Sequence, residues 1–291
     1  PFGRILAASL PGSAGPSWIG SGNPRRGRAK DADRAPGAAY TGAMKVTRAQ
    51  DLEGLRAAGR AVAQTLAAMG AALAPGMTTA ELDALGAKLL AEHGARSAPQ
   101  RDYRFPGATC ISLNEEAAHG IPGPRTLAPG DIVNIDVSAE LDGYYGDTGA
   151  TFLVPPAAPE HEALLAATQA ALEAAMAVAQ PGALINEIGR AIESTARAAG
   201  FATLRDLGSH GVGRKLHEAP RFIPNFFDPT DRRRLAEGMV ITIEPFLSLA
   251  SERCTTAEDG WTLLSGPGNR SAQFEHTLVI TAGGPEVMTR P

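Results

Sequence analysis

The chain has 291 residues, 44% of them hydrophobic and 20% charged, which fits one large globular domain or two small ones. A net charge of −4 gives no general electrostatic case for nucleic acid or an anionic membrane. Two cysteines (Cys110, Cys254) cannot form a disulfide framework, and no apolar run approaches the roughly 18–20 residues of a membrane-spanning helix, so the expected setting is cytoplasmic.

Residues 1–43 are rich in Gly, Pro, Ser and Ala, with a basic knot at PRRGRAK (24–30). Their apolar content is too low to offset the entropy of ordering, so the segment reads as a disordered extension. No methionine precedes Met44, which is therefore a candidate start. On that reading 1–43 is an addition upstream of a domain at 44–291, and the alternative is a basic tether. From Arg48 the pattern turns helical, with Leu52, Leu55, Val62, Leu66 and Met69 near 3.6-residue spacing. Pro75-Gly76 breaks it, Thr78 or Thr79 can cap, and a second helix runs through Leu82, Leu85 and Leu89 to His93-Gly94. A strand is expected at Ala108–Leu113, then the strand DIVNIDV and a hairpin centred on Gly143 that leads into Thr151–Val154.

The order then repeats, with helices expected at 160–179 and 184–199 on either side of Pro181-Gly182. Pro75-Gly76 recurs as Pro181-Gly182 after 106 residues, and Gly130-(x5)-Asp136 recurs as Gly238-(x5)-Glu244 after 108. Asp136 shares a strand face with Asn134 and Ser138, opposite Val133, Ile135 and Val137; Glu244 shares one with Thr242, opposite Ile241 and Ile243. The simplest structure is α/β, with two pseudo-symmetric halves whose sheets meet at a polar cleft.

Four carboxylates and two imidazoles stand in or beside these elements: Asp136, Asp147, Glu244, Glu275, His119 and His210. Buried at such density, carboxylates repel one another unless cations share them, and a mixed carboxylate and imidazole set suits Co, Mn, Fe or Zn ions. Two such ions can clamp a water and polarise a carbonyl, which makes the chain a candidate two-metal hydrolase.

Five segments carry a more specific signal: NEEAAHGIP (114–122), NIDVSAELDGYYGDTG (134–149), SHGVGRKLHEAP (209–220), ITIEP (241–245) and AQFEHT (272–277). In order and spacing they resemble the signature segments of type I methionine aminopeptidases, from Met44 to the C-terminus. The resemblance implies the pita-bread (creatinase/aminopeptidase) fold around a dinuclear metal cleft. It implies two divalent ions held by Asp136, Asp147, His210, Glu244 and Glu275, with Asp147 and Glu275 bridging. It makes Glu244 the proton acceptor for the bridging water, His217 the group that polarises the scissile carbonyl, and His119 a contact near the amide nitrogen. It implies release of the initiator methionine from nascent polypeptides when the second residue is small.

For the methionine side chain the candidate walls are Tyr103, Phe105, Trp261 and Leu216, because sulfur–aromatic contacts are favourable. Relatives often place aromatic residues where Asp102 and Leu216 stand. Structural roles are expected for His93, His161 and His276, for Glu115 and Glu116 as solvent-facing or hinge residues, and for Asp142 as a turn residue. Cys110 and Cys254 are expected to be inert. The expected partners are nascent N-termini and the ribosome near its exit tunnel, with no membrane, no specific nucleic acid and a monomeric state. Prolidase and aminopeptidase P share the implied fold and ligands, but usually carry a large additional N-terminal domain.

Overall fold

The computed structural model describes residues 42–290, so the expectations for residues 1–41 lie outside the described residues. In the first half, α1 (Ala49–Ala72) and α2 (Thr79–Glu92) are followed by β1 (Arg96–Ser97), α3 (Ala98–Tyr103), β2 (Cys110–Leu113) and β3 (Glu116–Ala118). The long hairpin β4 (Ile132–Leu141) and β5 (Tyr144–Leu153) completes it. The second half holds α4 (Pro159–Val178), α5 (Asn186–Ala198), β6 (Ala202–Thr203), β7 (Gly208–Gly211), β8 (Glu218–Pro224), β9 (Val240–Ile243) and β10 (Phe246–Ser248). It ends with β11 (Thr255–Thr256), β12 (Leu263–Leu264), β13 (Ser271–Gln273), β14 (His276–Thr281) and β15 (Gly284–Val287).

The helix pairs form where the periodicity predicts them. Thr78 caps α2 through a capping box, its hydroxyl accepting from the Glu81 amide while Glu81 accepts from the Thr78 amide. The hairpin turns on Asp142-Gly143, whose φ values of 51° and 82° suit the two-residue loop that matches the twist of its strands. This turn makes β5 one continuous strand from Tyr144, longer than the run at Thr151–Val154 suggested. The sequence pattern also misses α3 and the two-residue strands, which are too short to show a period.

The two halves match at the level of single hydrogen bonds. Gly76 donates to Leu127 at 2.8 Å and Gly182 to Leu235 at 2.7 Å; Leu127 donates to Met77 at 2.8 Å and Leu235 to Ala183 at 2.9 Å. Isolated bridges pair Thr78 with Thr126 and Leu184 with Arg234.

Each half has its own core. Under the first sheet lie Val62, Leu82, Leu90, Val133, Ile135 and Val137; under the second lie Leu164, Leu172, Ile188, Ile192, Ile241 and Leu278. A third cluster, including Leu55, Tyr144, Val212, Leu216 and Met288, joins them. The first sheet has β4 at its centre, with β5 on one edge and β1 and β2 on the other; the second runs β15-β14-β9-β7-β8. β5 faces β13 and β14 across the middle, where the Thr148 hydroxyl donates to the Glu275 carbonyl at 2.8 Å and the Glu275 amide to the Gly149 carbonyl at 2.9 Å. The polar faces of both sheets therefore meet at the centre. Among the described residues no helix is long and apolar enough to cross a membrane.

Candidate metal centre

Strand alternation decides which side chains reach the centre. In β4, Val133, Ile135 and Val137 enter the core, which turns Asn134, Asp136 and Ser138 the other way. Asp147 on β5 stands opposite Ser138, and Asp136 stands between Cys110 of β2 and Gly149 of β5. His210 lies in β7, Glu244 directly follows β9, and Glu275 sits between β13 and β14.

His210 Nε2 is 3.6 Å from Asp147 Oδ2 and 3.4 Å from Glu244 Oε1. Asp147, His210 and Glu275 are buried and each offers a ligand atom within 4.8 Å of the others. Burial, followed by the charges of Asp136 and Glu244, pushes the Asp147 carboxyl well above its ordinary range. Glu275 rises through burial and then the charge of Asp147, and Glu244 through burial above all. Burial also raises Asp136, and it lowers His210 to about 4, so the imidazole is neutral. Its Nδ1 lies 3.0 Å from the Gly211 carbonyl, an acceptor only, which puts the ring proton there and leaves Nε2 a bare lone pair facing the acids. Asp147 Oδ1 is buried with no hydrogen-bond partner. A buried oxygen without a donor, a bare imidazole nitrogen and mutually repelling carboxylates are the donor set a divalent cation neutralises, so these residues fit a metal site.

A second layer holds these groups. Thr242 donates to Glu244 at 2.8 Å and accepts from the His210 amide at 3.0 Å. Gln273 donates to Glu275 at 3.0 Å and accepts from Asn134 at 2.8 Å, which ties Glu275 of the second half to β4, the strand that carries Asp136. Asn134 and Thr242 are legible in the sequence because they share strand faces with Asp136 and Glu244; Gln273 is marked only by lying two residues before Glu275.

One cavity contains Asp136, Asp147, His210, Glu244 and Glu275, and also His119, His217, Tyr103, Phe105 and Leu216. His119 has φ 56°, a costly conformation for a non-glycine residue that the surroundings must impose. Next to it the Gly120 amide donates to Ser112 at 2.9 Å, and a Cβ on Gly120 would lie 2.2 Å from the Ile111 carbonyl, so only glycine lets this segment lie so close to β2. Burial, then the neighbouring His210, lowers His119 to about 4. Trp261 stands one step back, edge-on to Phe105 with ring centroids 5.2 Å apart.

Among the residues given structural roles, Glu116 departs from expectation. Glu116 is not a solvent-facing hinge: its carboxylate accepts from the Leu113 amide at 2.8 Å and from Arg125 at 2.9 Å. Glu115 pairs with Arg270 at 2.6 Å. Asp102 accepts from the Tyr145 hydroxyl at 3.0 Å and is not among the cavity-lining residues. Cys110 does line the cavity, with burial raising its thiol well above the ordinary range, so it stays protonated. His276 bonds to Thr289 at 2.9 Å, and Asp142 is a turn residue, as expected.

The pattern that describes metallopeptidase family M24 matches residues 53–282. The chain belongs to metallopeptidase family M24. Within M24 it is 44% identical over 248 residues to methionine aminopeptidase 2 of Bacillus subtilis, an alignment that covers 85% of this chain and 100% of the relative. The crystal structure of methionine aminopeptidase from Thermotoga maritima superposes with a TM-score of 0.82 at 34% identity, covering 85% of this chain and 100% of that one. Prolidase from Pyrococcus furiosus shares the fold, with a TM-score of 0.67 at 22% identity over 90% of this chain and 67% of its own. The M24 chain thus has the pita-bread fold and groups with the methionine aminopeptidases.

Proposed function

We propose that the chain removes the initiator methionine from newly made cytoplasmic polypeptides whose second residue is small. The observation that carries this reading is one cavity lined together by four carboxylates and His210, by His119 and His217, and by the apolar side chains of Tyr103, Phe105 and Leu216. The names and identities of the relatives support the same reading.

Asp136, Asp147, His210, Glu244 and Glu275 would hold two divalent ions, drawn from Co, Mn, Fe or Zn. When bound, these supply Lewis acidity and lower the pKa of water. The protein's own groups do the rest. Thr242 fixes the Glu244 carboxylate at Oε1, where it can accept a proton from the attacking water. His217 donates an N–H to the carbonyl oxygen of the first peptide bond and so stabilises the charge that develops there. His119, kept neutral by burial, faces the departing amide nitrogen and its incoming proton. The apolar wall takes the methionine side chain and excludes water, and its aromatic rings favour a thioether sulfur.

The test is hydrolysis by protein loaded with Co²⁺ or Mn²⁺. Methionine should leave Met-Ala and Met-Gly peptides, and Met-Lys peptides should be spared. Cleavage of Gly-Pro-type peptides without methionine release would assign the chain to the proline-directed branch instead.

A further inference from the structure

The neighbouring imidazoles His210 and His217, with ring centroids 4.1 Å apart, are held by different partners at the same ring atom. Nδ1 of His210 faces the Gly211 carbonyl oxygen, whereas Nδ1 of His217 lies 2.7 Å from the Tyr103 hydroxyl. A carbonyl can only accept, but a phenol can donate. The rings of Tyr103 and His217 meet edge-on at 66° with centroids 5.5 Å apart, so the hydroxyl reaches the nitrogen along the ring edge.

We propose that Tyr103 is a positioning residue that donates its hydroxyl proton to His217 Nδ1 and so locks His217 in the Nε2–H tautomer, opposite to that of His210. This rests on the peptide hydrolysis proposed above, in which His217 serves a carbonyl oxygen. Such an oxygen offers lone pairs only, so the nitrogen that serves it must carry a proton. A neutral imidazole has a single N–H, and placing it at Nε2 requires Nδ1 to accept. Tyr103 supplies that donor, and the two rings divide the work: a lone pair for a cation from His210 and an N–H for the substrate from His217.

Both partners are fixed before substrate arrives. Tyr103 is the last residue of α3, which Ser97 caps and which ends at Arg104 in the left-handed conformation. His217 is held from the next residue, since Glu218 is buried and accepts from the amides of Arg214 and Met44. Burial raises the Tyr103 phenol to about 12, so the hydroxyl keeps the proton it donates. Tyr103 is thereby more than a wall of the methionine slot: its ring packs there while its hydroxyl sets the chemistry of a neighbour.

The test uses zinc-loaded protein with ¹⁵N-labelled histidine, the His217 signals identified by their loss in His217→Ala. In the wild type, His217 Nδ1 should resonate as a bare nitrogen and Nε2 as a protonated one; in Tyr103→Phe that preference should be lost. The same variant should lower kcat on Met-Ala peptides about 10-fold, the usual order for loss of a group that orients a site histidine, with KM within 2-fold of wild type. In a His217→Ala background the Tyr103→Phe change should cost nothing further. A proton on Nδ1 of wild-type His217 overturns the assignment, as does a Tyr103→Phe effect confined to KM. The spectrum is read without substrate, so a failure of methionine release in the wild type would sink the proposed function and leave the tautomer to be judged by itself.

Discussion

At the scale of single residues, the two cavity histidines are separable by what each loses. His210→Ala removes a neutral nitrogen that lies within 3.6 Å of two acids, so bound metal per chain should fall on elemental analysis. His217→Ala should keep its metal and slow turnover by about 10²-fold, the usual loss for one transition-state donor. Metal loss in the second variant alone would reverse the two roles. Asp51 offers a test of stability instead. Its buried carboxylate accepts from Arg48 at 2.8 Å, Arg214 at 2.9 Å and Tyr144 at 3.1 Å, and the Arg48 guanidinium above all holds its pKa far below the ordinary value. A carboxyl whose folded pKa is depressed stabilises the fold fully above its unfolded pKa of about 3.9, and that contribution is lost as pH falls from there toward the folded value. Asp51→Asn should therefore melt below wild type at pH 6, with the gap closing as the pH drops under about 4. A gap that is constant with pH would assign the effect to packing. Arg48 is a neighbour along the chain, but Tyr144 and Arg214 are 93 and 163 residues from Asp51, and only folding brings those two to it.

At the scale of elements, the helices were legible because their apolar residues recur every three or four positions and their ends carry chemistry. Thr78 and Glu81 satisfy each other's backbone amides, so Thr78→Ala should cost about 1 kcal/mol in urea unfolding, with activity unchanged. No loss would mean that α2 is held by packing alone, through Leu82 and Leu90. Strands with a buried polar face were equally legible: Asp136 and Glu244 could be assigned to the cleft from their place in an alternating run. The short strands β3, β11 and β12 were not, because two or three residues show no period and the pairing of β12 with β3 joins distant segments. Their absence from the sequence reading explains the misjudged Glu116, whose partner Arg125 lies across a loop.

At the scale of the whole molecule, the first described residues tie the two halves together. Met44 is buried, its amide donates to Glu218, Lys45 bridges to Met239, and the Val46 amide donates to Gly238 at 2.8 Å. A chain beginning at Met44 keeps all of this and should melt within a few degrees of the full chain with its peptidase activity intact. A chain beginning at Arg48 loses the burial of a methionine, worth about 1.5–3 kcal/mol, and several hydrogen bonds of about 1 kcal/mol each. In calorimetry its melting temperature should drop by roughly 10 °C, since 1 kcal/mol corresponds to about 2–4 °C at this size. Equal melting of the two truncated chains would show that the strap adds nothing.

The sequence by itself determined the repeat, the helix pairs, the polar strand faces and the acidic residues that stand on them. These follow from local periodicity and from residue chemistry, both of which are written along the chain. Tertiary structure alone decided how the halves meet, and so which acids stand within reach of His210 and which amide of Gln273 steadies Glu275. It also decided which donor or acceptor faces each imidazole. A ring nitrogen takes or gives up its proton according to an atom over a hundred residues away in the case of Tyr103 and His217, and no local pattern carries that information.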